Sequence, residues 1–335
     1  MKLIIQIPCF NEENQLANTI KALPKKIDGI SEIKTLVIND GSDDNTVDVA
    51  IDNGIDFIVS HNINRGLAQA FSTGLNTCLK LGADVIVNTD ADNQYDANNI
   101  KDIIKPILEK KSDIVIGSRP IDTTDDFSFV KKRLQRLGSF VVSKLAGINI
   151  PDATSGFRAY SRHSAENLNV ISKFTYTLET IIQASHRNII ISSIDIKTNR
   201  KTRESRLFRN NFQYVIKSIS DIISITLQVR PLLIIGSISS ISLFIGFLIG
   251  IRFILMLFIH DFSFENNTGY IQSLILAAVF LIFGSVALLI GFLSDQLAGH
   301  RIFLERIVLQ IKQIENNALT PISNIKNLIY KKKED

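Results

Sequence analysis

Cysteine is nearly absent from this chain of 335 residues; only Cys9 and Cys78 occur. Both lie in apolar patterns, which predicts core thiols rather than a disulfide and fits a reducing compartment. A strong excess of charge is missing too. The 37 Lys and Arg against 33 Asp and Glu leave a formal net charge of +4, too little to suggest nucleic acid as a partner. No GxGxxG follows the first apolar run and no GxxxxGK[ST] occurs, so the usual dinucleotide and P-loop signatures are excluded. The opening "MKLIIQIPCFNEE" lacks the features of a signal peptide, because its apolar run is short and meets Pro8 and then acid. It is expected to form a first β-strand.

Two long apolar runs stand near the other end. "PLLIIGSISSISLFIGFLIGIRFILMLFI" covers 231–259 with one charge, Arg252, and "IQSLILAAVFLIFGSVALLIGFL" covers 271–293 with none. Each exceeds the ~20 residues that cross a bilayer core. Two transmembrane helices are therefore predicted, preceded by a juxtamembrane amphipathic helix over 207–230 and followed by a cytoplasmic tail over 294–335. The link "HDFSFENNTGY" holds no Lys or Arg, whereas Lys217, Arg230, Arg301 and Arg306 flank the pair. That asymmetry predicts a multi-pass protein of the cytoplasmic membrane, with the soluble part and both termini inside. Arg252, toward the outer end of its helix, is expected to snorkel to the interface.

Upstream, strand candidates "KLIIQI", "IKTLVIND", "DFIVS", "ADVIVNTD" and "SDIVIGS" alternate with helical patterns. Leu16, Ile20 and Leu23 mark one helix, with Asn11 as its candidate cap; Val47, Ala50 and Ile51 mark another, ended by Gly54. Phe71, Leu75, Cys78 and Leu79 mark a third, and Ile100 to Leu108 a fourth that contains Pro106. The alternation predicts an α/β domain over 1–206 with a mainly parallel sheet. Polar clusters then follow the first, second, fourth and fifth strands, so all four fall on one edge of the sheet, where such folds collect ligands.

The densest is "NTDADNQYD", Asn88 to Asp96. Carboxylates this close repel unless a cation lies between them. An EF-hand is excluded, because Tyr95 stands where the loop needs Gly and Lys101 where it needs Glu. What remains is a hard-cation site of few carboxylates, suited to Mg²⁺ or Mn²⁺ and open to a ligand's own phosphate oxygens. Arg119, just past the fifth strand, is placed to pair with the same phosphates. Asp96 fits a helix cap instead.

"IPCFNEE", "VINDGSDDNT", "NRGLAQAFSTGL", "TDADNQYD", "IGSR" and "DATSGFRAY" occur in the order seen in family 2 glycosyltransferases of the GT-A fold. The chain most resembles their polyprenyl-phosphate branch, the dolichyl-phosphate mannosyltransferase and bactoprenol glucosyltransferase type. The resemblance implies a nucleotide-sugar donor, a polyprenyl-phosphate acceptor and a divalent metal. It implies that Pro8, Asn11 and Glu12 line the donor pocket and that Asp40 bonds the base or ribose. Asp90 would reach sugar or metal, Asp92 and Gln94 would ligate the metal, and Arg119 would hold phosphate. Asp152 becomes the candidate base, with Arg158 close by, and Arg200 and Arg203 would meet the lipid phosphate. Glu179 is a looser match to an acidic residue of the acceptor region. The processive synthases of this family carry QxxRW; this chain has no Trp, which argues against polymerisation.

An acceptor phosphate is already largely ionised at neutral pH, its second pKa being about 6, so Asp152 is expected to orient more than to deprotonate. The segment Phe127–Gly147 reads as a basic amphipathic helix suited to the headgroup layer, its apolar face formed by Phe129, Leu134, Leu137, Phe140, Val141 and Leu145. Lys131, Lys132, Arg133, Arg136 and Lys144 supply its charge, and Arg133 and Arg136 are further candidates for the acceptor phosphate. Two other readings stay open: transfer to a glycan or protein hydroxyl, and a membrane-bound nucleotide-sugar sensor without turnover. A homo-oligomer also stays open.

Overall fold

The computed structural model describes residues 1–119, 129–170, 176–199, 219–220, 223–224, 226–259 and 268–318. The chain forms two compact units, Met1–Ile219 with Ile307–Asp335, and Ser220–Arg306.

The first unit is built on a 7-stranded sheet in the order β3-β2-β1-β4-β6-β5-β7. Its strands are β1 (Lys2–Cys9), β2 (Glu32–Asn39), β3 (Phe57–Ser60), β4 (Val85–Asn88), β5 (Ile114–Ser118), β6 (Arg158–Ser161) and β7 (Ile191–Asp195). All neighbours run parallel except β6, which lies antiparallel between β4 and β5. The mainly parallel sheet expected from the alternation is present, with all five predicted strands. β6 and β7 were not predicted. β6 has four residues and opens on a buried arginine, and β7 is a half-exposed edge strand of sequence ISSID.

β1 is buried from Leu3 to Cys9, as a central strand covered on both faces must be. Alternate residues face opposite ways. Leu3, Ile5 and Ile7 join one core with Leu16, Ala50 and Ile100 to Ile107, which come from helices α1 (Leu16–Ala22), α2 (Thr46–Asp52) and α4 (Ile100–Leu108). On the other face, α3 (Leu67–Lys80) lies so close that a Cβ on Gly74 would meet Gln6 Oε1 at 2.6 Å and Ile38 Cδ1 at 2.7 Å. Cys9 and Cys78 are buried and free, as expected.

The connectivity places the functional edge. From β1 the chain steps outward to β2 and β3, and α3 then returns it to β4 on the other side of β1. That reversal is a topological switch point, where a crevice opens beyond the carboxyl ends of the strands. Pro8 helps to open it. The β1–β2 ladder continues to Cys9, but the β1–β4 ladder stops at Gln6, and proline has no N–H to extend it.

Three cap expectations meet different outcomes. Asp96 does cap the turn Ala97–Asn99, its carboxylate accepting from Asn98 N. Gly54 follows α2 with φ of +76°. Asn11 caps nothing. α1 begins five residues later, and Asn11 sits in the left-handed region at φ +56° with Oδ1 accepting from Asp43 N at 2.9 Å. Its short amide suits that conformation and ties the loops after β1 and β2 together.

The basic helix is present as α5 (Phe129–Ala146), followed by α6 (Arg162–Glu166) and α7 (Tyr176–His186). Its predicted apolar face is split. Leu145 is buried together with Val142, while Leu137 and Phe140 are exposed on the opposite side.

The second unit holds the helix Pro231–Ile259 and the helix Thr268–Ala318 as far as Arg306, and these contain stretches long and apolar enough to cross a membrane, Pro231–Met256 and Ile271–His300. Only 17% and 22% of their most apolar windows are buried, so they are not core helices of a soluble domain. They pair through small residues and hydroxyls. Ser239 Oγ donates to Gly284 O at 2.7 Å and Ser242 Oγ to Phe280 O at 2.8 Å. Gly284 brings its backbone against Leu243, where a Cβ would approach within 2.7 Å. Small residues of this kind let helices in lipid come close enough for dispersion to hold them. Gly284→Val should force the pair apart, at about 1–3 kcal/mol, and lower the thermal midpoint of the detergent-solubilised protein.

Candidate active site

The site edge is assembled from four loops. After β1 and β2, "FNEE" and "DGSDDNT" interlock: Asn11 N donates to Ser42 Oγ, Glu12 N to Thr46 Oγ1 and Glu13 N to Asp44 Oδ2, all within 3.1 Å. Pro8 and Glu12 are buried beside this seam.

Asp40, at the end of β2, is also buried, and both of its carboxylate oxygens are engaged. Oδ1 accepts from Arg65 N at 2.9 Å and lies 2.7 Å from His61 Nδ1; Oδ2 accepts from Gly66 N at 2.8 Å. His61 reaches on to Thr73 through Nε2 at 3.0 Å. Gly41, at φ +72°, lets the backbone touch the Ile63–Asn64 peptide, where a Cβ would come within 2.6 Å. Asp40 was expected to bond a base or ribose. In the structure its carboxylate clasps the loop 61–66, accepting from Arg65 N and Gly66 N.

Asp90 follows β4, with Asp92 two residues on. Burial, then repulsion from Asp92, pushes the Asp90 carboxyl up to about 7, although Arg119 pulls the other way. Behind it runs a buried chain. Gln6 Nε2 donates to Asn88 Oδ1 at 2.9 Å, and Asn88 Nδ2 donates to Gly156 O at 2.9 Å and to Tyr176 OH at 3.0 Å. Tyr176 stacks on Phe71 with ring centroids 4.0 Å apart. Gly156 lies directly on Asp90, leaving 3.2 Å from a would-be Cβ to Asp90 Oδ1 and 2.8 Å to Tyr176 OH. Gly156 N also donates to Tyr95 OH, whose ring stacks on Phe157.

The turn after Asp90 is fixed from both sides. Asp92 Oδ1 accepts from Gln94 N at 3.0 Å while Asn93 takes φ +56°. Asn199, beyond β7, donates through N to Gln94 O and through Nδ2 to Asn93 O, both at 2.9 Å. The three oxygen-bearing side chains Asp90, Asp92 and Gln94 thus share one braced turn.

Across the crevice, Arg119 follows β5 and forks onto Asp152. Nε donates to Oδ2 at 2.7 Å, Nη2 to Oδ1 at 3.1 Å and Nη2 also to Thr154 Oγ1 at 3.0 Å. Burial works to raise the Asp152 carboxyl, but the Arg119 charge and hydrogen bonds outweigh it and hold the group below its usual range. A fork of this kind is a charge-assisted, orientation-fixing contact.

Arg158 is a correction. It was expected near the acceptor, but it is fully buried in β6. Its guanidinium donates to Ser155 O, Thr177 O, Thr180 Oγ1 and Ala153 O. Those carbonyls come from the loop before β6 and from α7, so Arg158 holds the Asp152 loop from beneath. Arg133 and Arg136 lie on α5 with exposed side chains. Glu179 lies in α7 and accepts from Gln183 Nε2. Arg200 and Arg203 fall outside the described residues.

Sequence reasoning missed Gln6, Asn88, Gly156, Tyr176 and Asn199. Gln6 and Asn88 did carry a signal, since each is an amide inside an otherwise apolar strand. Buried amides of this kind need partners, and here they are each other's.

The glycosyl transferase family 2 model matches residues 4–168. The uncharacterized protein MJ1222 of Methanocaldococcus jannaschii is 30% identical over 202 residues, covering 59% of this chain and 81% of that one. The chain belongs to glycosyl transferase family 2. This glycosyltransferase is also 29% identical over 215 residues to the UDP-N-acetylglucosamine–dolichyl-phosphate N-acetylglucosaminyltransferase of Methanococcus voltae, covering 57% of this chain and 83% of that one. It is 30% identical over 166 residues to the undecaprenyl-phosphate mannosyltransferase of Micrococcus luteus, covering 48% and 66%. In fold it resembles the glucosyl-3-phosphoglycerate synthase of Mycobacterium tuberculosis, solved with Mn²⁺ and UDP-glucose. That likeness has a TM-score of 0.51 at 17% identity, over 67% of this chain and 78% of that one. The fold is GT-A.

Two outcomes follow for the glycosyltransferase. Gly156→Ala should displace Asp90, and because a shift near 1 Å can cost about 100-fold, transfer should fall far more than the melting temperature does. The depressed Asp152 carboxyl contributes stability at neutral pH that is lost as pH falls below 3.8 toward its folded value. Thermal melts across the acid range should show this limb flattened in Asp152→Asn.

Proposed function

We propose that this glycosyltransferase moves a sugar from a UDP- or GDP-sugar to a polyprenyl phosphate at the cytoplasmic face of a membrane, with Mg²⁺ or Mn²⁺ at Asp90, Asp92 and Gln94. The observation that carries the reading is the braced Asp90–Asp92–Gln94 turn, whose Asp90 feels the charge of the Arg119 that forks onto Asp152.

The donor set fits the metal. It offers only hard oxygen ligands, and two neighbouring carboxylates, one of them pushed up to about 7, relax when a cation neutralises them. It also offers few ligands, which leaves positions for a diphosphate. A divalent cation bound there supplies charge to offset the departing diphosphate.

The protein's own groups do the rest. The interlocked loops after β1 and β2, with the clasp at Asp40, form the donor wall before any ligand arrives. An oxygen of the acceptor phosphate forms the new bond to the anomeric carbon. The bond to the diphosphate breaks, and the nucleoside diphosphate leaves with the electron pair. Arg119 faces that developing charge while Asp152 keeps its guanidinium aimed. Asp152 is fully buried and already paired, which supports an orienting role over proton removal. Inversion at the anomeric carbon fits a single displacement.

The acceptor class is supported by the relatives in Methanococcus voltae and Micrococcus luteus, whose names specify dolichyl and undecaprenyl phosphate. The membrane setting is supported by the two apolar helices, and the inside orientation by the Lys and Arg that flank them.

Purified full-length protein, radiolabelled UDP- and GDP-sugars and dolichyl or undecaprenyl phosphate test the reading directly. Metal-dependent labelled lipid is expected. Asp92→Ala should lose on the order of 100-fold or more, since even outer-shell partners of metals are worth 10–100-fold. At mildly alkaline pH Asp152→Asn should keep clearly more turnover than Asp92→Ala; an equal loss would make Asp152 a true base. Product on a glycan or protein hydroxyl, or no product from any donor, would overturn the lipid acceptor.

A further inference from the structure

The turn that carries Asp92 and Gln94 is not completed by its own stretch of sequence. Asp92 Oδ1 accepts from Gln94 N at 3.0 Å, which closes it on one side. Between the two, Asn93 lies at φ +56°, a left-handed conformation that an L-residue keeps only where its surroundings fix it. The groups that fix it come from beyond β7. Asn199, 106 positions from Asn93, donates through Nδ2 to Asn93 O and through N to Gln94 O, both at 2.9 Å. Thr198 pairs antiparallel with Tyr95, and Lys197 O accepts from Asn99 Nδ2 at 2.9 Å. Three successive residues are thus stitched along the turn and the start of α4.

Asn199 is exposed. Replacing an exposed residue changes the stability of a whole domain little. Its two bonds matter for where they fall, on consecutive carbonyls of the one turn that holds Asp92 and Gln94. Mg²⁺ demands near-ideal octahedral geometry at ~2.0–2.1 Å, so side chains that ligate it must be held to within ~0.5 Å. A loop with a left-handed residue between two ligands does not meet that tolerance alone. Tyr95, the next residue, is keyed from the other side, with its hydroxyl accepting from Gly156 N and its ring stacked on Phe157. Asn199 therefore closes the one flank of the turn that the core does not reach.

We infer that Asn199 is a positioning residue for the divalent cation. It acts through the backbone of Asn93 and Gln94, holding the Asp92 and Gln94 side chains at the spacing the cation needs. The inference rests on the metal site proposed above and adds to it a residue from the far edge of the sheet. Coupling of this kind is reciprocal. If Asn199 tightens the binding of the cation, the cation tightens the bonds that Asn199 makes.

Full-length protein in detergent is titrated with Mn²⁺ in the presence of UDP or GDP, and the electron paramagnetic resonance of free Mn²⁺ reports binding without turnover. Asn199→Ala should weaken Mn²⁺ about 10-fold or more, the lower end of the 10–100-fold that outer-shell partners are worth. Its thermal midpoint without metal should stay at the wild-type value, and excess Mn²⁺ should restore its turnover. Asn98→Ala removes another exposed amide, one bonded to the cap Asp96, and should bind Mn²⁺ as the wild type does. Hydrogen exchange gives a second readout that needs no Asn199 variant. Adding Mn²⁺ to the nucleotide-bound wild type should slow exchange at the Asn199 N–H, and should leave it unchanged in Asp92→Ala. Wild-type affinity in Asn199→Ala, with binding lost in Asp92→Ala, would overturn the inference and leave the metal site standing. So would an Asn199 N–H that ignores Mn²⁺ in a wild type that binds it. A wild type that binds no Mn²⁺, or an Asp92→Ala variant that binds it equally well, would sink the metal site and the inference together.

Discussion

Asp90 has nowhere to retreat from Asp92. Gly156 packs against it from behind, and the turn that carries Asp92 is tied down by Asn199. In water two such carboxylates would rotate apart and solvate separately. Here burial makes the charge costly and the backbone keeps the groups together, so one carboxyl is pushed toward its neutral form. The fold supplies strain of an electrostatic kind, which a cation and a diphosphate are suited to relieve. Stability is given up locally at the place where binding can return it.

Much of the surrounding architecture serves this constraint. The reversed strand β6 breaks the parallel order of the sheet, and its arrival delivers Gly156 against Asp90, Phe157 under Tyr95 and Asp152 to Arg119. Arg158 then anchors that incoming loop with four hydrogen bonds made where no water reaches. An exposed arginine would serve a ligand; this one gives the loop the fixed position that charged groups across the crevice require.

The frame of the sheet was legible because β1, β2 and β4 are apolar runs ending in polar clusters, and period and punctuation both register locally. Asp96 was legible as a cap for the same reason. β6 was not, since four residues beginning with arginine show no alternation that could announce a buried strand. Arg158 was read as ligand-facing because it lies among residues that a family resemblance makes functional. Its actual partners on α7 are separated from it in sequence, and only the folded chain brings Thr177 and Thr180 alongside. The apolar face of α5 was misdrawn because residues on both sides of the helix are apolar, and which side is covered depends on the loop at 150–153.

The two thiols carry a last consequence. Cys9 and Cys78 are sealed in the core, and burial raises both well above the ordinary thiol range; at Cys9 the charge of Glu12 adds to the effect. A thiol that does not ionise is a poor nucleophile and a poor metal ligand. Oxidants and alkylating agents therefore find no handle beside the donor crevice. Neither thiol is therefore expected to act as a redox handle on this catalytic unit.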